Sequence, residues 1–177
     1  MTAMIRHGTL TFIVSFNVSL GGVILATSGP TRKEEDYLAH IKLLVQSHPE
    51  VKRWHIVADN LNTHCSESLV RFVAVESDLE IDLGAKGVSG ILKSMESRAD
   101  FLSNSEHRVV FYYTPKHASW MNQVEIWFSI LARKLLKNGN FLSKENLRNK
   151  VMRFIEYYNQ TMATPFKWTY GGKALSV

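Results

Sequence analysis

The chain has 177 residues, 45% of them hydrophobic and 21% charged, which suits one domain with a sizeable core and lies outside the range of disordered chains. No apolar run approaches the roughly 18 residues of a membrane span, the start MTAMIRHG lacks the apolar stretch of a signal peptide, and a lone cysteine, Cys65, rules out an internal disulfide or a thiolate zinc cluster. The net charge of +5 is uneven: residues 1–113 carry 11 Lys and Arg against 13 Asp and Glu, residues 114–177 carry 10 against 3, so a polyanion partner is expected at the second part.

Thr9 to Val18, rich in β-branched and aromatic residues, and Val23 to Ala26 after Gly21-Gly22 predict two antiparallel strands joined by a tight glycine turn. Thr31 with Glu34 three residues on is a capping-box pattern, and Tyr37, Ile41, Leu44 and Val45 mark one face of a helix running to about His48. WHIVA, residues 54–58, predicts a buried strand ending at Asp59, and Ser66 is placed to cap a helix through Leu69, Val70 and Val73. Residues 78–83, DLEIDL, alternate as a half-buried strand does, and Ser89 is placed to start a helix through Ile91, Leu92, Met95 and Leu102. Arg108 to Tyr113 predicts another strand.

Val124, Trp127, Phe128, Leu131 and Leu135 then make one apolar helix face, ended by Asn138-Gly139-Asn140. Ser143 starts a last helix with Leu147, Val151, Phe154, Ile155 and Tyr158 inward and Lys144, Arg148, Lys150 and Arg153 on its other faces. The tail after Pro165 is aromatic and basic, suited to packing or to stacking on bases. There is no repeat, linker or low-complexity run, so a single domain over 1–177 is expected.

Two carboxylates sit where chemistry is found. Asp59 ends a buried strand and opens a polar loop, the position at which open α/β sheets place reactive groups. With Asn122 as N-cap, Glu125 falls in the first turn of its helix, beside the apolar face, where it serves equally as the N3 acid of a capping box. Acids on separate elements suit a hard divalent cation, whereas the seven histidines show no close pair at zinc-ligand spacing. Asn60 and His64 are compatible with orienting water or phosphate, or with loop hydrogen bonding alone. Lys116, His117 and Asn122, with the basic Arg133 and Lys134 further on, are candidate DNA contacts, the first three also explicable as turn and cap residues.

VADNLNTH beside TPKHASWMNQVEIWFSILARKLL resembles the second and third catalytic blocks of DDE transposases, specifically the mariner-related bacterial insertion-sequence branch; RHGTLTFIVSFNV and PFKWTY resemble that branch too. The resemblance implies an α/β, ribonuclease H-like mixed sheet flanked by helices. It implies Asp59 and Glu125 as the second and third acids binding Mg²⁺ or Mn²⁺, strand cleavage and transfer on DNA at transposon ends, and a cytoplasmic, nucleoid-associated bacterial protein, with a homo-oligomer compatible.

The sequence departs from that pattern twice. No acid occurs in residues 1–30, so the first catalytic aspartate and its central strand are not found, nor is a helix-turn-helix DNA reader. Also, 65 residues separate Asp59 from Glu125, more than is usual, which fits an insertion at about 75–107. Loss of the central strand would leave two unpaired edges, between the first strand here and the Asp59 strand. The expectation is a truncated transposase, inactive unless an upstream polypeptide supplies the strand; the alternatives are a non-enzymatic remnant that binds DNA or a partner chain, and a small metal-dependent nuclease.

Overall fold

The computed structural model describes residues 8–115, 123–137 and 139–165. β1 (Thr11–Asn17) and β2 (Gly22–Gly29) form the expected antiparallel hairpin, from Thr11 opposite Gly29 to Asn17 opposite Gly22, with a bulge between Ser15 and Phe16. Its turn is built by Asn17, whose side-chain oxygen accepts from the amides of Ser19 and Leu20, while the Gly21 amide donates to the Asn17 carbonyl. Gly21 has φ +70°, and a Cβ there would lie 1.8 Å from the Thr164 carbonyl oxygen, so both backbone and neighbour require glycine.

α1 (Glu34–Gln46) starts by a different cap from the one read in the sequence. Asp36, not Glu34, reaches back: its carboxylate accepts from the Lys33 amide at 2.7 Å and the Thr31 hydroxyl at 2.5 Å. Glu34 is drawn instead to α2 (Glu67–Glu76), accepting from the Ser68 hydroxyl at 2.9 Å. Ser66 caps α2 as expected, accepting from the Leu69 amide at 3.2 Å. Between these helices, β3 (Trp54–Ala58) pairs in parallel with β4 (Val109–Tyr113), Trp54 opposite Val109 and Ala58 opposite Tyr113.

Residues 78–83 are not a strand. They run alongside the core with Leu79 and Leu83 inward and Ile81 outward, so the alternation is real, yet no neighbouring strand offers a ladder among the described residues. The expected single helix from Ser89 is also divided. A 3₁₀ turn, Gly90–Lys93, comes first, and α3 (Met95–Leu102) begins at Ser94, whose hydroxyl accepts from the Ser97 amide while the Ser97 hydroxyl accepts from the Ser94 amide. Ser94 wins because this reciprocal cap satisfies two orphan donors, whereas Ser89 makes no side-chain cap bond. The segment's ends are stapled together, for the Arg108 amide donates to the Ser77 hydroxyl at 3.1 Å and the Arg108 guanidinium binds Glu76. Far from bulging into solvent, it buries Leu83, Leu92 and Leu102.

α4 (Gln123–Leu131) continues into a π turn, Ala132–Leu136, closed by the Lys137 amide donating to the Ala132 carbonyl at 2.8 Å. α5 (Lys144–Thr161) is capped by Ser143, as expected. Its Asn159 acts on β2 as a strand neighbour would: the amide nitrogen donates to the Val23 carbonyl at 2.7 Å and the amide oxygen accepts from the Val23 N–H at 2.9 Å.

The described strands thus make two separate two-stranded sheets rather than one. Apolar side chains form two cores. The first gathers α1, α2, β3, β4 and the 83–102 leucines; the second joins Val23 to Trp127, Leu131, Val151, Ile155 and Tyr158. β1 faces both, with Ile13 toward the first and Phe12, Val14 and Phe16 toward the second. No described helix is long and apolar enough to cross a membrane.

Candidate active site

Asp59 leaves β3 directly after buried Ala58, at the carboxyl end of the parallel pair. The Thr114 amide donates to the Ala58 carbonyl at 2.9 Å, extending the pairing to the last residue before the acid. The chain then turns through Leu61 into a 3₁₀ turn, Asn62–Cys65, and His64 folds back over Asp59. The His64 Nδ1 lies 3.1 Å from the Asp59 carbonyl oxygen and 2.5 Å from Oδ1 of its carboxylate. Since a carbonyl only accepts, Nδ1 carries the proton and directs it at the backbone oxygen. Buried Oδ1 has His64 Nδ1 as its close neighbour, at ion-pair distance.

Two tyrosines pack around this corner. The Tyr37 ring packs on His64, centroids 4.2 Å apart, and the Tyr113 hydroxyl donates to the His64 carbonyl at 2.8 Å. Burial, then the Asp59 charge beside it, push the Tyr37 phenol well above its ordinary value, so it stays protonated. Burial raises Tyr113 and the Cys65 thiol in the same way, leaving Cys65 a packed and unreactive side chain.

Glu125 occupies the first turn of α4 and is exposed, on a helix whose Trp127 and Leu131 are buried in the second core. Asp59 and Glu125 are therefore carried by elements of different cores. Arg133 and Lys134 lie exposed in the π turn below Glu125 on the same helix. Lys116, His117 and Asn122, including Asn122 as the N-cap of α4, fall outside the described residues, as do Trp120 and the tail from Phe166. A surface pocket between the hairpin and α1, lined by Thr11, Thr27, Asp36 and His40, includes neither Asp59 nor Glu125.

The family described as DDE superfamily endonuclease matches residues 2–148. The chain belongs to that family. No curated protein and no solved structure matches it. Membership points to DNA as the substrate and to cleavage of the transposase type, and nucleases of this superfamily generally act with divalent metals such as Mg²⁺. A mixed α/β chain of helices and small sheets is consistent with a DDE nuclease fold.

Carboxylate oxygens are the ligands a hard cation selects, and the Asp59 side chain is 34% exposed while its Oδ1 contacts His64 Nδ1, so an acid partly open to solvent at a strand end fits an ion there. Among the described residues, however, no three His, Cys, Asp or Glu side chains gather into a metal-holding group, so Glu125 does not join Asp59 and His64 in a ready-made cage.

Sequence reasoning did not find Tyr37, Tyr113 or Arg98 at this site. Tyr37 lies on an expected helix face and Tyr113 at an expected strand end, and the sequence gives Arg98 no role; only the folded chain brings them to the Asp59 turn.

Proposed function

We propose that this chain acts in DNA transposition as part of a catalytic core of the mariner-related bacterial insertion-sequence branch, cutting and joining strands at transposon ends. Asp59 and Glu125 are two of its metal-holding carboxylates, and the ion is Mg²⁺ or Mn²⁺. A third carboxylate comes from a further strand, supplied by an upstream polypeptide, that enters between β1 and β3 in a ribonuclease H-like sheet; among the described residues no strand lies between them. The observation that carries the reading is the partly exposed Asp59 carboxylate at the end of a parallel strand, in a chain of the DDE endonuclease family.

In this reading each residue has a stated task. Asp59 presents its partly exposed carboxylate from a turn fixed by His64 and Tyr113. Glu125 adds a second oxygen ligand from the first turn of α4, and Lys116, His117, Asn122, Arg133 and Lys134 hold phosphates and set the register of the DNA. A bound divalent ion would supply Lewis-acid polarisation of the scissile phosphodiester and an activated water. A homo-oligomer and a nucleoid-associated, cytoplasmic location fit the same reading.

The test is nicking of supercoiled plasmid with Mg²⁺ or Mn²⁺. The chain alone is expected to be inactive, and to nick when mixed with the segment encoded immediately upstream of the Met1 codon. Asp59→Asn and Glu125→Gln should each lower that activity on the order of 100-fold or more. Full activity in Asp59→Asn would sink the assignment. A second reading, a non-enzymatic remnant that binds DNA or a partner chain, is favoured by the fact that no three such ligands gather among the described residues. That reading expects DNA binding without nicking even after the upstream segment is added.

A further inference from the structure

Arg98 is a buried cation that the reading above leaves without a role. Its residue is 7% exposed, and among the described residues no acid pairs with it. Removing a guanidinium from water is costly unless its N–H groups are met, and here they are met by oxygens. Nε donates to the Cys65 carbonyl at 2.6 Å, Nη1 to the Leu92 carbonyl at 3.2 Å, and Nη2 points to the Asn62 side-chain oxygen at 3.5 Å. Two of these three acceptors belong to the 3₁₀ turn that follows Asp59, and the third to the turn preceding α3.

We propose that Arg98 is a positioning residue for Asp59, and that the 75–107 segment is thereby a working part of the site. β3 fixes the near end of the Asp59 turn, through Ala58 and its bond from Thr114. The Tyr113 hydroxyl fixes the middle at His64, and Arg98 fixes the far end at Cys65 while touching Asn62. Asp59 is held between these anchors. A planar guanidinium fork can meet acceptors from two separate segments in one fixed geometry, which a lysine ammonium on a flexible stem cannot. The consequence is a turn that presents its carboxylate already ordered, so that ligand binding does not have to order it.

The proposal rests on the reading of Asp59 as a metal ligand, and the experiment separates the two. In the full chain, backbone amide hydrogen exchange reports the turn, and Mn²⁺-induced paramagnetic broadening of amides near residue 59 reports the ligand without any need for activity. Wild type should show broadening that Asp59→Asn abolishes. Arg98→Met should speed exchange of the 61–66 amides at least about tenfold and require at least about tenfold more Mn²⁺ for the same broadening. Arg98→Lys should fall between, and carries the same comparison if Arg98→Met does not fold.

Val151→Ala, in the second core, controls for a general loss of stability and should leave both readouts at their wild-type values. Broadening in wild type that depends on Asp59 and is unchanged in the Arg98 variants would overturn the Arg98 proposal alone. Equal losses in Val151→Ala would also overturn it, since the effect would then be global. No broadening in wild type would overturn the metal reading itself and the positioning role with it.

Discussion

His40 joins three elements through one imidazole. It is buried in α1, with Nε2 2.8 Å from the Ser15 hydroxyl of β1 and Nδ1 2.8 Å from the Thr27 hydroxyl of β2. Burial penalises its charged form and lowers its pKa from 6.5 to about 4. The sign follows directly: between those values the unfolded chain takes up a proton that the folded chain refuses. The stabilisation is therefore fully present above pH 6.5 and is lost as pH falls toward 4. The shift corresponds to on the order of 3 kcal/mol. Denaturant unfolding of wild type and His40→Gln at pH 7 and pH 4 should show the wild type losing more stability by up to that amount, and parallel pH dependence would disprove the assignment. In sequence His40 is simply a histidine between two helix-face positions, and nothing there names Ser15 and Thr27 as its partners.

At the scale of elements, side chains finish what the strands leave open. β2 has β1 on one side, and on the other Asn159 of α5 closes both polar groups of Val23. Asn159→Leu would remove both bonds and leave a buried N–H and C=O unmet, so a loss of about 2 kcal/mol is expected from chemical denaturation. A change under about 0.5 kcal/mol would mean that water replaces the amide there. The helix starts at Ser66 and Ser143 were legible because a cap is a local device, written within three residues. The capping box of α1 differs from the Thr31 and Glu34 pair of the sequence: Lys33 is the N-cap and Asp36 the acid that reaches back, while Glu34 bonds Ser68, from a helix more than thirty residues on. The 78–83 segment was misread for a similar reason: alternation reports which side chains turn inward, and a strand also requires a neighbour to pair with.

Across the whole molecule, charge and cores divide differently from the chemistry. The basic residues concentrate after residue 114, with Arg133 and Lys134 exposed on the helix that carries Glu125. DNA affinity should therefore fall steeply with salt, and Arg133→Ala or Lys134→Ala should each reduce the slope of log K against log salt by about one. Slopes unchanged in both variants, measured by fluorescence anisotropy across a salt series, would remove these residues from the interface. Asp59, by contrast, belongs to the first core, where the 83–102 leucines are packed. A stretch that read as an insertion of tolerated length is thus built into the half of the molecule that holds the candidate acid.

The sequence by itself determined the hairpin, the β3 strand ending at Asp59, β4, and the amphipathic helices α2, α4 and α5, because period, turn glycines and caps act over a few residues. It also singled out Asp59 and Glu125, since an acid at a strand end or in a helix's first turn is a local pattern. Only the tertiary structure decided that the described strands lie in two separate sheets, that His64 folds back onto the Asp59 carboxylate, and that Tyr37, Tyr113 and Arg98 surround its turn. Those outcomes depend on which distant segments share a buried volume, where every polar group competes for partners from far along the chain.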